Sequence, residues 1–113
     1  MNLYSSKGMM EMMDGSHNNV KEIAILFSTI GPQMIKDAEE AIKNEKWNEV
    51  GDFAHKLKTS LRLWQMDSLI DIAIFIEKNA RDKNETEAIK EKFIELKKDF
   101  LLAIDGLRIE FDI

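Results

Sequence analysis

The chain has 113 residues, 44% of them hydrophobic and 33% charged, with one proline, five glycines and no cysteine. Such a length and balance fit one globular domain over residues 1–113 and sit far from the signature of disorder, and the lack of cysteine excludes disulfides and thiolate metal sites. A net charge of −5 argues against nucleic acid or an anionic membrane as the main partner.

Met1 to Met13 lacks a basic start followed by an apolar run, so no signal peptide is read there, and no apolar run is long enough to cross a bilayer. A cytoplasmic protein is expected, and an initiating Met1 favours a freestanding one. A short Met-rich segment, Leu3 to Met13, comes first. Asp14 to Asn19 then reads as a loop ending in a helix cap. The first long helix places Val20, Ile23, Phe27, Ile30, Met34, Ala38 and Ala41 on one face, with Gly31-Pro32 expected to kink or split it, since proline removes a backbone donor. A turn near Asn44-Glu45 leads to a second long helix with Trp47, Val50, Ala54, Leu57, Leu61 and Trp64 at steps of three or four, a nearly unbroken core stripe. Asp67 is positioned to cap a third helix that turns Leu69, Ile72, Ala73 and Ile76 inward. Asn84 with Glu87 forms a capping-box start for the last, which repeats Ile89, Phe93, Leu96, Phe100, Ala103 or Ile104, and Leu107. Almost nothing alternates as a strand would. Short connections favour antiparallel neighbours, so the expected fold is all-α: an antiparallel up-down four-helix bundle with a short additional N-terminal helix across one end.

The second long helix carries the candidate site. Opposite its core stripe lie Asp52, His55, Lys58 or Thr59, and Arg62, so His55 occupies a face open to solvent or a partner. An exposed histidine among charged residues is ordinarily just surface. Here, however, the stretch from Phe53 to Met66 holds Lys56, Lys58 and Arg62 with no acidic residue. A basic island in an acidic protein suits an anion arriving at the imidazole.

The run Ala54-His55-Lys56-Leu57-Lys58-Thr59-Ser60, with Trp64 and Leu69 downstream, resembles the signature of histidine-containing phosphotransfer (HPt) domains of two-component phosphorelays. That pattern has an Ala-His pair, then Leu, Lys and a small residue, a hydrophobic position nine after the histidine and Leu fourteen after. Ile25-Leu26-Phe27, the Pro32 region and Ala38 to Trp47 are similar to the family's preceding helix and turn. The resemblance runs from Leu3 to the last helix.

It implies a phosphoryl carrier with no catalytic activity of its own. A response-regulator receiver domain, free or within a hybrid histidine kinase, would dock and pass the phosphoryl group from its phosphoaspartate to His55, and another receiver would take it on. An imidazole, with an ordinary pKa of about 6.5, offers a neutral nucleophilic nitrogen near neutral pH. The loose transition state spreads charge over three oxygens, so a positioned cation matters more than a general base. Lys58, one turn along, is the expected stabiliser of those oxygens, with Lys56 and Arg62 steering an acidic receiver face. The chain itself is expected to bind no metal or other cofactor. Mg²⁺ would come with the receiver.

Two positions depart from the pattern. The family commonly has glycine four after the histidine, where Thr59 stands; side chains lean toward the helix N-terminus, so Thr59 narrows the space beside the imidazole while offering a hydroxyl. Ten after the histidine, often another glycine, stands Gln65, read as a surface residue. Gly51, four before His55, leaves space either for the imidazole or for a helix contact. Glu77 falls where the family often has Gln or Glu, and its carboxylate would accept the imidazole's other N–H and fix which nitrogen reacts. Met9, Met10, Met12 and Met13 in the first segment are partly core cap and partly candidates for an adaptable docking rim, Met9 and Met13 foremost, and exposed Ile70 or Ile74 would extend it.

Three other readings compete. A sensor-kinase dimerisation domain follows its histidine with an acidic residue, where this chain has Lys56. A di-iron bundle needs two carboxylate–histidine pairs facing inward, but Asp52 faces outward and His17, the only other histidine, is read as a polar loop residue. An interaction module that keeps the fold without carrying phosphate, its site obstructed by Thr59, is the main alternative.

Overall fold

A computed structural model describes residues 3–113; Met1, on which the freestanding expectation rests, lies outside them. The described residues form five helices and no strand: α1 (Lys7–Met12), α2 (His17–Lys43), α3 (Trp47–Leu63), α4 (Asp67–Asp82) and α5 (Thr86–Phe111). The four long helices close a ring of contacts. α2 packs on α3 and α5, α4 packs on the same two, and α1 rests on α2. No helix is long and apolar enough to cross a membrane among the described residues.

The core stripes of α3 and α5 are as the periodicity predicts. Trp47, Val50, Ala54, Leu57, Leu61 and Trp64 are buried, as are Ile89, Phe93, Leu96, Phe100, Ala103, Ile104 and Leu107. Phe27 stacks on Trp64 with ring centres 5.8 Å apart and meets Phe100 edge-on at 5.5 Å. Phe53 of α3 stacks on Phe93 of α5 across the core.

α2 departs from expectation twice. It runs unbroken through Pro32, and its buried face is rotated toward small residues: Ala24, Ser28, Gly31 and Ile35 turn inward while Ile30 is exposed and Ile23 and Met34 are half-buried. The cause is close approach to α5. A Cβ on Gly31 would fall 2.7 Å from Ile104 Cδ1 and 3.1 Å from the Phe100 ring, so only glycine lets the two backbones come this near. Pro32 lacks the N–H that would bond the Ser28 carbonyl one turn back. That carbonyl instead accepts a hydrogen bond from Arg108 Nη2 of α5 at 2.9 Å, so the freed acceptor is satisfied and the helix continues.

The helix starts are also corrected. α2 begins at His17, not after Asn19; Ser16 Oγ accepts from the Asn19 N–H, and the His17 ring lies tilted against Phe111 rather than free in a loop. Asp67 is inside α4, where an acidic side chain suits the first turn; Met66 holds the cap position. The Asn84/Glu87 capping box does not form. Glu85 occupies the cap in a left-handed conformation, and the Asn84 N–H closes the end of α4 on the Asn79 carbonyl. Glu87 pairs with Lys90 instead.

The N-terminal segment straps the end where α3 and α5 finish. The Ser5 N–H bonds the Trp64 carbonyl at 2.8 Å, and Tyr4 and Ser6 hydroxyls both donate to the Glu110 carboxylate at 2.7 and 2.6 Å. Burial, then the Glu110 hydrogen bond and charge, push the Tyr4 phenol up to about 12. A raised acid pKa means that the strap stabilises the fold fully below the ordinary value near 10 and loses that contribution as pH rises toward 12. Tyr4 is the only tyrosine, so phenolate absorbance should titrate near 12 in the native protein and lower after Glu110→Gln, yet still above the ordinary value because burial, the larger cause, remains; a native midpoint near 10 would show the strap undocked.

Candidate functional site

His55 projects from the middle of α3, on the side turned to α4, with its side chain 65% exposed. Glu77 stands opposite on α4. Its Oε2 lies 2.8 Å from His55 Nδ1 and its Oε1 lies 2.6 Å from Lys58 Nζ. Arg81, one turn further along α4, approaches the same carboxylate at 3.6 Å and donates to Asp52 Oδ1 at 3.0 Å. Glu77 is thus surrounded by three nitrogen groups and is itself only 16% exposed.

The Lys58 hydrogen bond, followed by that from His55, holds the Glu77 carboxyl below its ordinary 4.5 against the opposing effect of burial. An ionised carboxylate only accepts hydrogen bonds. His55 Nδ1 therefore donates, and in the neutral ring the lone pair belongs to Nε2. The arrangement fixes the tautomer and leaves one nucleophilic nitrogen on the open face, the role such a carboxylate plays beside functional histidines generally.

Lys58 is drawn into this cluster. Its side chain is largely covered and bonded to Glu77, so it balances the carboxylate in the first instance. Lys56 and Arg62, grouped in sequence, go different ways. Lys56 lines a groove between α2 and α3 with Asp37, Glu49 and Asp52, whereas Arg62 lines a groove beyond Thr59 with Gly8, Met12 and Gln65. Thr59 is exposed and forms the edge of that second groove, one turn from His55.

Gly51 makes room for a helix contact rather than for the imidazole. A Cβ there would fall 2.9 Å from Arg81 Cγ, so the glycine lets the Arg81 stem cross α3 on its way to Asp52. Gln65 is more than a surface residue. It adopts φ 51°, the left-handed conformation that ends α3 and that favours glycine, with the Met66 N–H returning to the Leu61 carbonyl. Its side-chain oxygen accepts from the Gly8 N–H at 3.1 Å and so ties α1 to the end of α3.

The docking candidates need correction. Met9 is only 2% exposed and belongs to the core, because it faces α2 from the inner side of a single short helix. Met13 is half-buried against the core, as is Ile70, while Ile74 is exposed. The methionine on the groove is Met12, which is largely exposed. Among the four methionines expected to share the rim, Met12 is the one that lines the groove, and Arg81 is the residue at the site that the sequence expectations do not include. A one-turn shift on α1 separates Met12 from Met9, and nothing in the sequence registers α1 against α3. Arg81 does fall four after Glu77, the spacing of a helical ion pair, which is the signal that could have found it.

Among the described residues, no group of three or more histidine, aspartate or glutamate side chains is placed to hold a metal ion. Comparison of the chain with protein-family models, with curated proteins and with solved structures found no match in any of the three.

Proposed function

We propose that this chain is a histidine-containing phosphotransfer module of a cytoplasmic two-component phosphorelay, an antiparallel up-down four-helix bundle that carries a phosphoryl group on His55 and has no catalytic activity of its own. The observation that carries the reading is the His55–Glu77 hydrogen bond at 2.8 Å on an open helix face. The ring of contacts among four helices joined by short turns supports the bundle topology, and the resemblance of the Ala54–Leu69 segment to HPt domains supports the chemistry.

In the transfer, the Nε2 lone pair attacks phosphorus of a receiver phosphoaspartate. The N–P bond forms as the P–O bond to the aspartyl carboxylate breaks, and that carboxylate leaves with the bonding pair. The Nδ1 proton stays in the hydrogen bond to Glu77, which offsets the positive charge developing on the ring. No proton has to leave for the step to balance. Lys58, whose ammonium has three donors, keeps one on Glu77 and turns another toward the arriving phosphoryl oxygens. The receiver, with its Mg²⁺, supplies the remaining charge stabilisation. Arg62 and Met12, beside Thr59, form the rim on which it rests, extended by Ile74.

The test is to mix the protein with a phosphorylated receiver and look for an acid-labile phosphoprotein. Label on the parent that is lost in His55→Gln, with helicity unchanged by circular dichroism, is the expected result. Absence of label with every receiver of the same organism would replace this reading by an interaction module that binds without carrying phosphate. Thr59→Gly is expected to speed acceptance several-fold by clearing the space beside the ring, at a helix cost of about 1 kcal/mol, checked by the rate of label transfer and the melting temperature.

A further inference from the structure

α5 covers the core with one face, yet its outer face is also apolar. Ile94, Leu102 and Ile109 are 71%, 50% and 82% exposed, and Leu101 is half-buried beside them. With Lys98 and Asp105 these residues fall within about 100° of the helix circumference. They make one continuous stripe four turns long. Part of it lines a shallow groove that also includes Glu39 and Lys97. Scattered exposed apolar residues need no explanation, but an aligned stripe on one helix does.

The order of residues along the stripe is what identifies its occupant. From one end to the other it reads Ile94, Lys98, Leu101-Leu102, Asp105, Ile109, and it is its own complement when reversed. Two copies of α5 laid antiparallel about a twofold axis between Leu101 and Leu102 place Ile94 opposite the other copy's Ile109. The same operation sets Lys98 opposite Asp105 and Leu101 opposite Leu102, each pairing occurring twice. Such self-complementarity is the requirement of an isologous interface. Lys98 forms no ion pair within the chain among the described residues, and Asp105 has only a 3.5 Å contact to Arg108, so both charges are available. Glu91 and Asp112, which would oppose one another beyond the isoleucines, limit the overlap to the stretch from Ile94 to Ile109.

We propose that the outer face of α5 is the interface of a homodimer, with a second copy of this chain as the occupant. α5 stands diagonal to α3, since both pack on α2 and α4. Pairing through α5 therefore leaves His55 open in both copies, and the dimer stands or falls independently of the phosphotransfer reading. A single pair of helices buries area at the small end of specific interfaces, so the association is reversible and concentration-dependent.

Sedimentation or light scattering of the full chain should show the mass rising with concentration from 13.1 kDa toward twice that value. Lys98→Asp alone and Asp105→Lys alone should each weaken association at least tenfold, and the double exchange Lys98→Asp/Asp105→Lys should restore it. All four residues changed or probed are on the surface, so circular dichroism should be unaltered. Register is read by disulfide formation, helped by the absence of native cysteine. Ile94→Cys mixed with Ile109→Cys should cross-link, whereas either alone should not, because like positions are separated by about 22 Å along the antiparallel pair. A monomer at every concentration would overturn the proposal and leave the stripe to a different protein. A dimer indifferent to the charge exchanges, or one cross-linked by Ile94→Cys alone, would overturn the antiparallel assignment.

Discussion

Replacing Glu77 by alanine is expected to slow phosphoryl transfer to His55 by about 10- to 100-fold, the usual effect of removing a partner that orients a functional group, while the protein stays folded. Glu77 does two things at once in this site. It accepts a hydrogen bond from Nδ1–H and so keeps Nε2 as the free nitrogen, and it gathers Lys58 and Arg81 around one carboxylate. Without it the imidazole divides between tautomers and orientations, and in the proposed transfer the ring would lose the negative charge that offsets its own positive charge as the N–P bond forms. Glu77→Gln separates the two effects. Its amide oxygen still accepts from Nδ1 but carries no charge, so its loss should be smaller than that of the alanine variant. Rates measured with a phosphorylated receiver decide the matter, and an unchanged rate in Glu77→Ala would remove Glu77 from the mechanism.

The same carboxylate makes a pH prediction with a definite sign. Its folded pKa lies below the ordinary 4.5, so its contribution to stability is complete above that value and is lost as pH falls through the lowered one. The melting temperatures of parent and Glu77→Gln should therefore differ near neutral pH and converge in acid.

Trp64→Ala is expected to be the most destabilising single change, costing about 3–5 kcal/mol, enough to lower the melting temperature by more than about 10 °C. Trp64 is fully buried at the end of α3, stacked on Phe27, and its carbonyl accepts the Ser5 N–H of the N-terminal strap. The alanine variant keeps the carbonyl but leaves a void against Phe27 and, through Phe27, loosens Phe100. Thermal unfolding followed by circular dichroism reads the loss. A change under about 1 kcal/mol would mean that the end of α3 does not pack as described.

How far the sequence could be read depended on residue size and on distance along the chain. In α3 and α5 the buried residues are mostly large and regularly spaced, so helical periodicity alone identifies the core faces, and His55 follows as a residue on the open side. In α2 the expected Val20, Phe27, Ala38 and Ala41 are buried, but Ala24, Ser28, Gly31 and Ile35 take the inward places expected of Ile23, Ile30 and Met34, because a rule that favours large apolar residues overlooks small ones. The size that matters there is set by Phe100 and Ile104 on another helix. The same limit explains Pro32, whose unpaired carbonyl partner is relieved by Arg108, far away in sequence. Capping residues were misplaced at Asp67 and Asn84 because left-handed turn residues, Gln65 and Glu85, took over the chain reversals without glycine or a side-chain cap.

By itself, then, the sequence determined that this protein is helical, where its five helices lie to within a few residues, and that His55 stands on a solvent-facing surface, since each of these follows from composition and short-range periodicity. Glu77 is expected beside His55 from the resemblance alone, not from periodicity, and only the tertiary structure decided that Lys58 and Arg81 meet the same carboxylate. Glu77 lies 22 residues beyond His55, and its hydrogen bond exists because α3 and α4 pack in one particular register, set in part by the room that Gly51 leaves for Arg81. Periodicity fixes the face of a helix but not its height against a neighbour, and which ring nitrogen of His55 meets Glu77 depends on that height.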